Sequence, residues 1–131
     1  MLSNGIWQYA VVGVSGGVGA MARFGVNELC RAWTPLWAPL ATLTVNVLGC
    51  LVAGVVMYAT LDKPVMSHAA RLVVMTGVMG GMTTFSGFGY DCVALAREGR
   101  PGLAGLNVGA NLVLGLGAVM LGRSLARAVM G

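Results

Sequence analysis

The sequence predicts an all-α membrane protein of four transmembrane helices, with the third helix broken near its middle. Three observations carry that prediction. Only 9% of the 131 residues are charged and 57% are hydrophobic, with a mean hydropathy of +0.83; soluble domains carry about 25% charged residues. The charges leave Met1 to Ala22, Ala32 to Leu61, Leu72 to Tyr90 and Pro101 to Gly122 free of Asp, Glu, Lys and Arg. Each run is near or above the roughly 18 to 20 residues that cross a bilayer core. Finally, Gly77 to Gly89 sets a glycine pair, two threonines and two phenylalanines in an uncharged apolar stretch. At membrane depth, irregular backbone is tolerated only where protein or a watery cavity satisfies its polar groups.

Helix 1 is expected over residues 5–30. Ala20-Met21-Ala22 mimics a signal-peptide cleavage site, but no basic residue precedes Arg23, so the basic n-region of a signal peptide is missing. Helix 2 (39–61) follows Trp33-Thr34-Pro35-Leu36-Trp37-Ala38-Pro39, two prolines with tryptophans suited to the membrane interface. It carries Asn46 near its centre, with Thr42 one turn earlier on the same face, and stops at Asp62-Lys63-Pro64. Helix 3 (67–97) starts with Ser67 as a candidate N-cap. Gly80-Gly81 before Thr83-Thr84 marks its break, after which Phe85 and Phe88 share one helix face. Arg97 to Gly102 leads into helix 4 (102–128), where Asn107 and Asn111 lie one turn apart. Residues 1–131 therefore form a single four-helix unit with no internal repeat. Glycines four apart, at Gly13/Gly17, Gly77/Gly81 and Gly105/Gly109, suit close helix contacts.

Topology is nearly unbiased. With four spans, Lys63, Arg71, Arg123 and Arg127 share one side, against Arg31, Arg97, Arg100 and, if it snorkels that way, Arg23. Lys and Arg asymmetry orients membrane proteins, and here it casts almost no vote. Either another cue orients the chain, or subunits insert both ways and pair as an antiparallel, dual-topology homodimer. A unit this small has little room to enclose a pathway alone, which favours the pairing.

Polar groups inside the spans narrow the chemistry. One intramembrane Asn reads as an interhelical hydrogen bond worth about 0.6 to 2 kcal/mol; three of them beside a broken helix suggest a polar track. Glu28, Asp62, Asp91 and Glu98 all fall near expected helix ends, which argues against proton coupling through an embedded acid. Phenyl rings have a positive edge. Phe85, Phe88 and Asn46 would therefore suit a small, strongly hydrogen-bonding anion, held loosely enough to leave again. Spacing alone leaves the phenylalanines as ordinary packing residues. No nucleophile–base constellation points to an enzyme, and His68 has no metal-ligand cluster around it. Cys30, Cys50 and Cys92 are odd in number and lack metal or redox spacing, so they read as reduced packing residues. The net charge of +4 sits at loops and helix ends, where it suits anionic lipid head groups rather than nucleic acid.

Three motifs, in order, resemble one family. Gly16-Gly17-Val18-Gly19-Ala20-Met21-Ala22-Arg23 looks like its helix 1 signature, Thr42 to Gly49 its Thr-x-x-x-Asn-x-x-Gly signature, and Gly77 to Phe88 its Gly-x-x-Gly-Gly-x-Thr-Thr-Phe-Ser-Thr-Phe signature. The family is the CrcB proteins, or Fluc fluoride channels, and the resemblance runs along nearly the whole chain. It implies an antiparallel dual-topology homodimer in the bacterial inner membrane, with two pores that export fluoride passively and no further protein partner. It further implies Phe85 and Phe88 as pore phenylalanines with Asn46 as the amide donor beside them, and Thr42, Ser86, Asn107 and Asn111 as further track members. One sodium ion would sit on the backbone carbonyls of Gly80 and Thr83 at the dimer centre. Arg23 resembles a vestibule-facing basic residue, and reads equally well as a snorkelling interface arginine.

The chain departs from the signatures in two places. Gly87 replaces the threonine between the phenylalanines, and helix 4 has Asn107, Asn111 and Gly115 where many members carry Tyr and Ser. Two other classes compete. A four-helix multidrug antiporter needs a carboxylate in helix 1, which has none before Glu28. A non-transporting assembly subunit would need Phe85 and Asn46 for stability only.

Overall fold

The computed structural model describes the backbone of residues 2–131 and the side chains of residues 5–131. Helices α1 (Leu2–Trp33), α2 (Trp37–Met57), α3 (residues 68–82), α4 (Phe85–Arg97) and α5 (Pro101–Met130) account for nearly all of it, with no strand among the described residues. Four stretches are long and apolar enough to cross a membrane: Gly5–Trp33, Trp37–Asp62, His68–Arg97 and Pro101–Met130. At about 1.5 Å per residue, their 26 to 30 residues reach beyond a hydrocarbon core of ~30 Å. Their ends therefore stand in the head-group layer.

Start signals place the boundaries. Helix α2 begins at Trp37, two residues before the expected start. Pro39 falls in its first turn, where a missing N–H costs nothing. Ser67 caps α3, its Oγ accepting the Ala70 N–H at 3.1 Å. Pro101 is the first residue of α5, after a turn in which Gly99 takes φ +74, a conformation that favours glycine. The ends of spans are wider wound. Tyr58–Asp62 continues α2 with five-residue turns, Lys63 N–H reaching the Tyr58 carbonyl at 2.8 Å. Leu72–Met79 does the same within α3; such wide turns in helices often mark functional sites.

Packing runs along two seams. Helix α2 lies against α5, and α1 lies against α3. Both seams press backbone on backbone. A methyl group at Gly54 would collide with the Val119 carbonyl, and one at Gly122 with the Leu51 carbonyl. On the other seam, Gly19 faces the Val78 carbonyl, Gly81 the Gly16 carbonyl and Gly77 the Ser15 hydroxyl, each too close for a side chain. Without a hydrophobic drive between helices in lipid, this close approach is the main source of attraction. A methyl group added at Gly13, Gly17, Gly105 or Gly109 would meet nothing within 4 Å beyond its own helix backbone, so within one protomer these positions are not pressed against another helix. Small buried residues such as Ala41, Val45 and Ala118 fill what core there is. Large apolar side chains such as Tyr9, Val14, Leu116 and Met120 point outwards, as suits a surface solvated by lipid.

Candidate functional site

The third span stops being helical at two residues. Gly80 keeps helical angles (φ −60, ψ −36), whereas Thr83 (φ −80, ψ 155) and Thr84 (φ −153, ψ 116) are extended. Thr83 turns back on α3, its N–H and Oγ1 both donating to the Met79 carbonyl at 2.9 and 2.8 Å. Thr84 caps α4, its Oγ1 accepting the Gly87 N–H at 2.9 Å and lying 3.1 Å from Ser86 Oγ.

Asn46, on α2, holds the extended pair in place. Its Oδ1 accepts the Thr84 N–H at 2.9 Å and its Nδ2 donates to the Thr84 carbonyl at 3.2 Å. The side-chain amide thus reads both polar groups of one peptide residue, and the opposite amide orientation would set donor against donor. In an unbroken helix the Thr84 N–H would bond the Gly80 carbonyl, and the Gly87 N–H the Thr83 carbonyl. Asn46 Oδ1 takes the first donor and Thr84 Oγ1 the second. Among the described residues no other donor reaches either carbonyl. The Gly81 and Met82 carbonyls lose their partners simply because the helix ends.

From Asn46 a ladder of amides crosses to α5 and back to α4. Asn46 Nδ2 also donates to Asn111 Oδ1 at 3.1 Å, and Asn111 Nδ2 to Asn107 Oδ1 at 3.1 Å. Asn107 Nδ2 donates to Cys92 Sγ at 3.2 Å. Each amide accepts from one neighbour and donates to the next, so no buried side-chain polar atom is left without a partner among the described residues.

Beside the ladder lies a cavity of about 410 Å³ between α2, α3, α4 and α5. Asn46, Gly80, Thr83, Phe85, Phe88 and Asn111 all line it, together with Cys50, Met75 and Met79. The two phenyl rings are 5.4 Å apart, centroid to centroid, and tilted by 53°. Phe85 is 83% exposed.

Other candidates from the sequence lie elsewhere. Thr42 is buried away from this cavity, and its hydroxyl donates to Asp91 Oδ2 at 2.7 Å. Asp91 stands midway along α4, in the last quarter of the third span where the sequence puts it, and is only 7% exposed. Thr42 and the burial around it, 49 residues away in sequence, allow a carboxyl group there. Asn107 belongs to the ladder without lining the cavity, and Ser86 is exposed beside Thr84. Arg23 is half-buried on α1, makes no ion pair or side-chain hydrogen bond among the described residues, and is not part of the cavity wall. No group of three or more His, Cys, Asp or Glu forms a metal cluster among the described residues.

Known proteins resemble the chain along most of its length. The family described as CrcB-like protein, Camphor Resistance (CrcB), matches residues 10–123. A protein of Methylobacillus flagellatus named fluoride-specific ion channel FluC is 36% identical over 126 residues, covering 95% of this chain and 98% of its own. Fluoride-specific ion channel FluC 2 of Symbiobacterium thermophilum is 43% identical over 117 residues, covering 89% and 95%. The Thermus thermophilus FluC is 36% identical over 124 residues, covering 95% and 98%.

Proposed function

The chain belongs to the CrcB-like family, and from that membership we propose that it is a passive fluoride channel, not an enzyme. It exports fluoride from the cytoplasm through two pores along the interface of an antiparallel, dual-topology homodimer in the bacterial inner membrane. Relatives named fluoride-specific ion channels supply the ion. One structural observation carries the reading: the cavity gathers Phe85, Phe88, Asn46 and Asn111 where the third span is interrupted.

The chemistry follows from the side chains. Ring edges at Phe85 and Phe88 offer positive quadrupole to an anion without a fixed cation that would trap it. The amide hydrogen that Asn46 gives to Asn111 passes to the anion when it arrives, so the ladder supplies replacement donors for lost water. HF is a neutral weak acid that crosses membranes and ionises at cytoplasmic pH. An open anion pathway then lets a potential negative inside drive fluoride out, at about 2.3 kcal/mol per charge per 100 mV. The open flank of Phe85 is the surface a second copy would cover, closing a wall that one protomer leaves absent.

The carbonyls of Gly80 and Thr83 fit a sodium ion, because the Thr84 N–H that a continuous helix would give Gly80 goes to Asn46 and the Thr83 oxygen lies on extended backbone before the next helix. Hard cations prefer such oxygens. When bound between two copies, sodium would supply positive charge that holds the helix breaks together.

Fluoride efflux from liposomes tests the proposal. Purified wild-type protein should release fluoride rapidly and chloride hardly at all. Phe85→Ile and Asn46→Asp, assembled as wild type, should release neither. Silence from well-folded wild-type protein with sodium present would refute it and favour the assembly-subunit reading.

A further inference from the structure

We propose that Asn46 is the positioning residue of a backbone cation site, and so links that site to the anion pathway through a single side chain. The inference rests on the sodium reading above and adds to it the residue that makes the site. A helix that simply continued would keep the Gly80 carbonyl occupied by the Thr84 N–H. Asn46 Oδ1 removes that donor at 2.9 Å, and its Nδ2 fixes the orientation of the same peptide residue through the Thr84 carbonyl at 3.2 Å. One clamp therefore frees the Gly80 oxygen and holds Thr84 extended. With Thr84 extended, its hydroxyl caps the Gly87 N–H at 2.9 Å, and the Thr83 oxygen stays outside the helix that starts at Phe85. Gly49 leaves room for this arrangement, since any side chain there would strike the Thr83 methyl.

The two roles of Asn46 separate by atom. Oδ1 acts on the cation side, by capturing the Thr84 N–H. The hydrogen on Nδ2 that points to Asn111 Oδ1 acts on the anion side. Asn46→Asp keeps the acceptor for the Thr84 N–H, the contact that frees the Gly80 oxygen, and loses the Nδ2 donations to the Thr84 carbonyl and to Asn111, so it should keep the sodium response while losing fluoride flux. Asn46→Leu loses both. Thr84→Val removes only the cap on the Gly87 N–H and leaves both Asn46 contacts to the Thr84 backbone, so its sodium response should stay near wild type. Asn111→Ala touches only the ladder and should leave cation binding as in wild type.

The test is the thermal midpoint of the purified full chain as sodium replaces N-methylglucamine, since a ligand bound only by the folded protein raises that midpoint with its concentration. The half-effective sodium concentration should rise by about 10- to 100-fold in Asn46→Leu, the range for losing an outer partner that orients metal ligands. Thr84→Val and Asn46→Asp should respond no more weakly than wild type. If Asn46→Leu does not fold, Asn46→Asp and Thr84→Val decide: loss of the response in either overturns the inference. A wild-type protein with no sodium response overturns the sodium reading and this inference together. A wild-type response matched by Asn46→Leu overturns this inference alone.

Discussion

The two halves of the third span do different work with the same kind of helix. Residues 68–82 lie on α1 with glycine against bare backbone, at Gly77 and Gly81 opposite Ser15 and Gly16. No side chain of that half makes a hydrogen bond to another span among the described residues. From Phe85 onwards the span turns to α5 and α2 and works through polar side chains, with Asp91 on Thr42 and Cys92 on Asn107. The first half gains its hold from how closely backbones approach. The second gains it from specific donors and acceptors, which can also exchange partners. Thr83 and Thr84 lie between them, so the interruption separates a rigid frame from a chemically adaptable wall.

That contrast predicts the largest effect on the frame side. Gly81→Ala puts a methyl group against the Gly16 carbonyl, a rigid neighbour that cannot rotate away. Overpacking costs typically about 1–3 kcal/mol and more where nothing yields, so this variant should sit at or above that range. Thermal unfolding in detergent should show a large drop in midpoint. A midpoint near wild type would mean that α1 and α3 slide freely, and that the frame is not rigid.

On the wall side the matching change is Thr42→Val, nearly isosteric. It strips Asp91 of its hydrogen-bond donor, and an orphaned buried polar group costs about 1–3 kcal/mol. Stability should fall by an intermediate amount, and the Thr42→Ser variant, which keeps the hydroxyl, should recover most of it. A loss in Thr42→Ser with Thr42→Val near wild type would show that Thr42 acts through its methyl group, and that α4 is held by shape like the first half.

How much of this was legible beforehand follows the same division. The spans and their limits could be read from charge-free runs and from start signals such as Ser67 and Pro101. Those are local properties. The break was readable only as a neighbourhood: the glycine pair stays helical and the two threonines are the extended residues. What makes them so is Asn46, 38 residues away, and spacing along one helix carries no information about that partner. The place of Asp91 in the last quarter of the third span was readable, but its burial and its bond to Thr42, 49 residues away, were not. Phe85, Phe88, Asn46 and Asn111 could be nominated by residue type, but their shared cavity is a product of four helices.

The smallest predicted effect concerns the glycines. Gly13/Gly17 and Gly77/Gly81 have the same four-residue spacing, yet Gly17 meets nothing within 4 Å while Gly81 touches backbone. Spacing cannot tell a contact face from an open one, because it fixes which residues align and not what they align against. Gly17→Ala should therefore be neutral or raise stability by about 0.5–1 kcal/mol, the entropic advantage of alanine inside a helix. Measured beside Gly81→Ala, it gives opposite signs from one substitution at one spacing. A loss at Gly17 as large as at Gly81 would mean that this face of α1 is also pressed against protein. The frame would then extend beyond one protomer, and α1 would belong to the assembly interface along with Phe85.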